Sequence, residues 1–365
     1  MHEHLVDTRE RLDSFCRKME SVRVMAVDTE FLRVKTYYPR FCLMQIGSGD
    51  DVFCIDPVAV DPGTGSLREV LCAPDRTTVF HAARQDIEVL FQCFDDVPRR
   101  VFDTQVAAAM VGLGDQIGYA SLVSIVTGRD LPKAHTRTDW CRRPLSPEQI
   151  EYAVDDVRYL LEIYEQLSAE LDKRGRLDWV FEECRSLSDP GLYRAEPAEA
   201  YKRIGFGDRL DPVAQSVLRE LANWRERTSQ LMDLPRNWVV KDTVLAEIAQ
   251  ALPDSQDKLA RLEGVSEKFV RRHGEHVVGL VRQALSADSH SVIWRKKTRL
   301  SAEQRALQQR IQDCLKRVAV EEGISPGLLS SRQDISRLVH GSRDISLLRG
   351  WRAQLLGGEL DALTG

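Results

Sequence analysis

Five side chains have types and spacings that suit shared chemistry: Asp28, Glu30, Asp86, Tyr152 and Asp156. Asp28 and Glu30 lie two apart at the end of the apolar run 22–27, so a strand continued through them points both carboxylates to one face. Like charges so placed repel, and a divalent cation between them removes that cost, because Mg2+ and Mn2+ prefer carboxylate oxygen. Taken alone, the pair reads more simply as surface acids at a strand end. Tyr152 and Asp156 are four apart in a helical pattern, which brings phenol and carboxylate together; Asp155 is the competitor, and the spacing favours Asp156. Asp86, within 81–86, would be dismissed in isolation as a solvated helical acid. A set of such acids is what holds two cations about 4 Å apart for phosphodiester hydrolysis, one activating water and one neutralising the leaving oxygen. Tyr152 would then position the attacking water or help take its proton.

The elements that must position these groups are legible from pattern. Strand-like runs at 22–27, 41–46 and 52–55, with Gly47, Gly49 and Asp50 in the second link, predict antiparallel hairpins. A short run at 77–80 leads into a helix over 82–94, and Asp103 is placed to cap a helix through Met110. A helix over 119–127 follows, then a Pro-rich basic loop over 131–147, then a helix from Ser146-Pro147-Glu148 to about Leu171. Pro190, Gly191 and Pro197 mark 189–210 as a linker, and short amphipathic helices such as 213–227 and 241–251 follow it. A further helical group starts near Ser301. The reading is a mixed α/β domain over 1–188, then all-α domains over 211–290 and 291–365.

A chain of 365 residues is long for one core, and 43% apolar with 29% charged residues is ordinary globular composition. No segment approaches the roughly 18 uncharged apolar residues that span a bilayer, and 1–11 is polar, so a cytoplasmic protein without a membrane partner is expected. The eight cysteines form no CxxC pair and read as reduced core residues. Net charge is −5, but residues 1–200 hold 24 Lys+Arg against 35 Asp+Glu, and 201–365 hold 27 against 21. The acidic part suits cations and the basic part suits phosphates, although two solvated surfaces give the same numbers. Gly112, Gly114 and Gly118 have the spacing GxGxxxG after a helix, which excludes a dinucleotide fingerprint, so no nucleotide cofactor is expected. His2 and His4 read as a frayed terminus, and no oligomerisation stripe argues against a monomer.

Taken in order, 27–30, 81–86 and 152–156 resemble the three motifs of the DEDD exonuclease superfamily, in its tyrosine-bearing branch. The stretches 36–39, 42–46, 102–105, 137–140 and 143–145 resemble the ribonuclease D family in particular, and the resemblance covers essentially the whole chain. It implies a ribonuclease H-like α/β core, two divalent cations (Mg2+ or Mn2+), and removal of nucleotides from RNA 3′ ends, transfer RNA precursors included. Residues 211–290, through 221–224, 234–237 and 262–265, resemble an HRDC domain, and the last 65 or so residues resemble a divergent second copy. Arg84 and Gln85 depart from the small or acidic residues usual before Asp86.

Candidate RNA contacts are Thr29, Phe31, Tyr37, Gln45 and His81 in or near the motifs, and Arg137 and Trp140 with Arg142 and Arg143. A structural salt-bridge loop with Trp140 in the core is the alternative for that last group. Lys241, Arg271, Arg272 and 295–297 are candidates for holding RNA away from the cleavage site. A DNA exonuclease of the same chemistry is the nearest rival, since the carboxylates do not read the sugar. A non-catalytic nucleic-acid binder is disfavoured, because clustered acids repel phosphate.

Overall fold

The computed structural model describes residues 2–63, 66–132, 138–286, 294 and 299–364. The chain forms two compact units, one of Met1–Leu32, Arg40–Tyr193 and Leu300–Gly365, the other of Arg33–Pro39 and Arg194–Arg299.

The first unit is built on a mixed six-stranded sheet: β1 (His2–Val6), β2 (Val24–Leu32), β3 (Arg40–Ser48), β4 (Asp51–Ile55), β5 (Thr77–Phe80) and β6 (Arg100–Asp103), in the order β1-β4-β3-β2-β5-β6. The expected hairpins are the antiparallel β2–β3 and β3–β4 pairs, whose second turn uses Gly49 at φ 56°. β1, β5 and β6 pair in parallel. The amino-terminal segment, expected to fray, is instead an edge strand beside β4, and His4 stacks on Phe53 and reaches Asp51.

Helices α1 (Arg9–Met19), α2 (Leu67–Cys72), α3 (Arg84–Phe94), α4 (Thr104–Met110), α5 (Tyr119–Thr127), α6 (Pro147–Arg158), α7 (Leu160–Lys173) and α8 (Leu177–Cys184) complete this part. Asp103 caps α4 through the Gln105 N–H, and Ser146 with Gln149 forms a reciprocal capping box at α6, with Pro147 in its first turn. The single helix expected to run to Leu171 breaks at Tyr159. There the Tyr119 hydroxyl accepts from the Tyr159 N–H at 3.3 Å and donates to the Asp155 carbonyl at 2.9 Å. A side chain wedged between groups that pair in an unbroken helix is a recognised cause of a kink.

The second unit comprises α9 (Pro212–Met232), α10 (Arg236–Val239), α11 (Asp242–Ala251), α12 (Gln256–Ala260) and α13 (Glu267–Leu285) around Val217, Leu221, Leu245, Ile248 and Val277. Most of the segment expected as a linker belongs to it: Pro197–Arg203 is a 3-10 turn packed on α9, with Ala200 and Ile204 in the core. Pro197 sets that turn, which buries Ala200.

The carboxy-terminal helices α14 (Ala302–Glu322), α15 (Pro326–Leu329), α16 (Arg332–Val339) and α17 (Gly350–Thr364) differ most from expectation. They belong to the first unit and share its core, where Ile311, Leu315, Trp351 and Leu356 join Ile163, Leu171 and Val180. The fully buried Trp351 stacks on Trp179 at 5.3 Å, Arg352 makes two bonds to Glu183 at 2.6 and 2.8 Å, and Arg176 reaches Glu322 at 2.5 Å. Nothing local in the sequence announces these partners, which are more than 140 residues away.

Candidate metal centre

In β2 the buried Val27 and Thr29 alternate with Asp28 and Glu30, which share the opposite face. α6 packs across β2, β3 and β4 and brings Asp156 to the pair, so that one ligand atom each from Asp28, Glu30 and Asp156 lies within 4.8 Å of the others. Asp86, in the first turn of α3, is fixed to the same strand: its Oδ1 accepts from the Thr29 hydroxyl at 2.6 Å and from the Thr29 N–H at 3.2 Å. Asp155 turns away into an ion pair with Arg158 at 2.6 Å.

Burial dominates the electrostatics. It pushes Asp28 well above the usual carboxylate range, helped by Asp86, Asp156 and Glu30. Burial, then Asp156 and Asp86, carries Glu30 to about 8. Asp86 rises to about 7 by burial against the lowering hydrogen bonds of Thr29, and Asp156 rises to about 7 by burial against that of the Tyr152 phenol. The Tyr152 hydroxyl itself is raised, by burial and then by Asp156, Glu30 and Asp28, so it remains a donor at neutral pH. Among the described residues no Lys or Arg pairs with any of the four acids. Oxygen donors crowded without a cation of their own suit a hard divalent ion.

Several expected RNA contacts are placed otherwise. Thr29 is buried against Asp86, Trp140 is buried with its ring 5.8 Å from Tyr152, and Gln45 is fully buried, so burial removes all three from contact with a base. Gln45 sits directly opposite Asp28 in the β2–β3 register, and neither atom of its amide has a partner among the described residues. His81 is turned inward, with Nδ1 2.9 Å from the Thr104 hydroxyl and Nε2 3.0 Å from the Ile117 carbonyl. Phe31 is half-buried at the end of β2, and the Tyr37 hydroxyl donates to Glu226 within the second unit. Lys241, Arg271 and Arg272 are exposed there. Arg84 is exposed at the start of α3; Arg137 and 295–297 lie outside the described residues.

The loop before α6 takes the structural alternative. Arg143 clamps Asp56 with two bonds of 2.6 Å and the Cys42 carbonyl at 2.7 Å. Cys42 and Cys141 form a disulfide, which corrects the expectation that all cysteines are reduced; a separation of 99 residues hides it from spacing rules. Sequence reasoning also passed over Tyr119, and it saw Asp103 only as the cap of α4, whereas its carboxylate also accepts from the N–H groups of Ala82 and Ala83 and so shapes the entry to α3.

Comparison with known proteins places this geometry in a family. The 3′-5′ exonuclease family matches residues 4–172 and the HRDC domain family residues 214–281. Ribonuclease D of Acidiphilium cryptum is 37% identical over 99% of this chain and 93% of its own, and ribonuclease D of Granulibacter bethesdensis is 36% identical over 98% and 92%. The crystal structure of Escherichia coli RNase D, described as an exoribonuclease involved in structured RNA processing, superposes with a TM-score of 0.90 at 32% identity, covering 100% of this chain and 98% of that one. The chain belongs to the ribonuclease D family of hydrolytic 3′-to-5′ exoribonucleases.

Proposed function

We propose that this exoribonuclease trims short single-stranded 3′ tails from structured RNAs, transfer RNA precursors among them, with Asp28, Glu30, Asp86 and Asp156 holding two divalent cations, Mg2+ or Mn2+. The observation that carries the reading is the convergence of Asp28, Glu30 and Asp156 within 4.8 Å, with Asp86 tied to the intervening Thr29 and no basic partner among the described residues. Bound cations would supply electrostatic activation of water and neutralisation of the leaving oxygen. The chain's own groups do the rest. Asp86 is pre-set by Thr29, so its free oxygen keeps one direction. Tyr152 donates toward Asp156 and stands beside the acids, where it positions the attacking water or helps take its proton. Exposed Lys241, Arg271 and Arg272 hold RNA phosphates away from the cleavage site.

Matched RNA and DNA oligonucleotides, each labelled at one end or the other and offered as free strands or as 3′ tails on a hairpin, test this directly. The expected result is stepwise shortening of RNA from its 3′ end, stopping near the duplex, and only with a divalent cation. Faster digestion of the DNA strands, or shortening from the 5′ end, would overturn the substrate assignment.

A further inference from the structure

Two features of the first unit are absorbed by neither the fold nor the metal centre as described: the inward-facing His81 and the glycine-rich turn 112–118. They lead to the same place. The His81 Nε2 N–H and the Gln105 amide each donate to the Ile117 carbonyl at 3.0 Å, fixing the last residues of the turn. The turn is gripped from its other side by the carboxy-terminal helices: the Gly114 N–H donates to the Ser325 hydroxyl at 3.1 Å, and Asp115 accepts from the Gly327 N–H at 2.7 Å. Gly112 and Gly114, at φ 84° and 127°, supply backbone that other residues adopt only under strain. Two residues beyond Ile117 stands Tyr119, whose ring lies 5.6 Å from His81 and whose hydroxyl bridges the Asp155 carbonyl and the Tyr159 N–H. Asp156 is the residue directly after that carbonyl. The second motif is thus joined to the third through one turn and one phenol.

We propose that Tyr119 is a positioning residue for the metal centre: its hydroxyl, held across the α6–α7 break by a turn that His81 anchors, sets the course of the helical turn that presents Asp156. A tyrosine serving only to fill the core would need no bond to that turn, and phenylalanine would replace it without consequence for the centre. The inference rests on the reading of Asp156 as a cation ligand.

The experiment measures Mn2+ binding to the metal-free full chain by calorimetry, and kcat and KM on a 5′-labelled RNA strand, for wild type, Tyr119→Phe, His81→Leu, their double variant and Asp156→Asn. Tyr119→Phe is expected to weaken Mn2+ binding and lower kcat by about tenfold each, the scale of losing a group that orients a ligand, with KM unchanged. His81→Leu moves both in the same direction, and the double variant loses less than the product of the two, because both act through one turn. Should Tyr119→Phe fail to fold, His81→Leu carries the test alone, since it removes one anchor of the turn without touching α6. Wild-type Mn2+ affinity and kcat in Tyr119→Phe, alongside weakened binding in Asp156→Asn, overturn the brace alone. Wild-type Mn2+ affinity in Asp156→Asn overturns the metal centre and the brace with it.

Discussion

Two buried clusters of charge in this chain are solved in opposite ways. In the second unit Glu226 is almost wholly enclosed, and it is met by Arg236 at 2.5 and 2.6 Å, by Arg203 at 3.1 Å and by the Tyr37 hydroxyl at 2.5 Å. Burial alone would raise its pKa, yet the bonds from Arg236 and Tyr37 hold it below the ordinary glutamate value. In the candidate metal centre, Asp28, Glu30, Asp86 and Asp156 are crowded together without a basic partner among the described residues, and all four are raised. A buried acid that the chain neutralises itself is architecture. Buried acids that it crowds together without a basic partner are the arrangement that suits a cation from outside.

Glu30→Gln gives the largest effect expected of this contrast: exonuclease rate falls about 10²- to 10³-fold, the cost of removing one preorganised electrostatic group, while the cation-free protein melts no lower than wild type. Arg236→Met acts on the other cluster, destabilising the chain by about 3 kcal/mol in denaturant titration by leaving Glu226 under-compensated. A wild-type midpoint in Arg236→Met would mean that Glu226 is not held by that pair.

The pH dependence separates the clusters further. The four centre acids have folded pKa values above their unfolded ones, so the folded state binds more protons and stability is lost as pH rises, from about 4 through about 8. Melting in chelator should therefore fall across that window, and saturating Mn2+ should flatten or reverse the slope, because cation binding expels the protons. A chelator curve flat from pH 5 to 8, a window inside that range, would show that the acids are not coupled as described.

A third arrangement supplies the smallest effect. Asp103 is buried and satisfied by backbone N–H groups, and one of those donors, Ala82, sits at φ 59°, a costly region for an L-residue. Ala82→Gly is expected to raise stability by about 1 kcal/mol with activity unchanged, read from the melting midpoint.

The chemistry was more legible in the sequence than the architecture that aims it. Asp28 and Glu30 share a face by alternation, and Tyr152 and Asp156 by helical spacing; both are local rules that need no partner. β1 escaped because its pairing with β4 is non-local and its first three residues, His2, Glu3 and His4, are polar. The Cys42–Cys141 bond, the union of α14 to α17 with the first unit and the Tyr119 wedge that ends α6 depend on contacts between distant segments, and no window of sequence contains both partners. Gln45 shows the same limit: its place opposite Asp28 is a matter of register, and only the folded sheet reveals it as buried rather than available to RNA.

The most direct test of the account is Asp156→Asn, prepared beside wild type and measured twice: RNA 3′-end shortening in Mg2+ or Mn2+, and melting in chelator. The account predicts loss of nearly all activity together with a melting temperature equal to or above that of wild type, because one uncompensated buried charge has been removed. An Asp156→Asn protein that shortens RNA at the wild-type rate would contradict it.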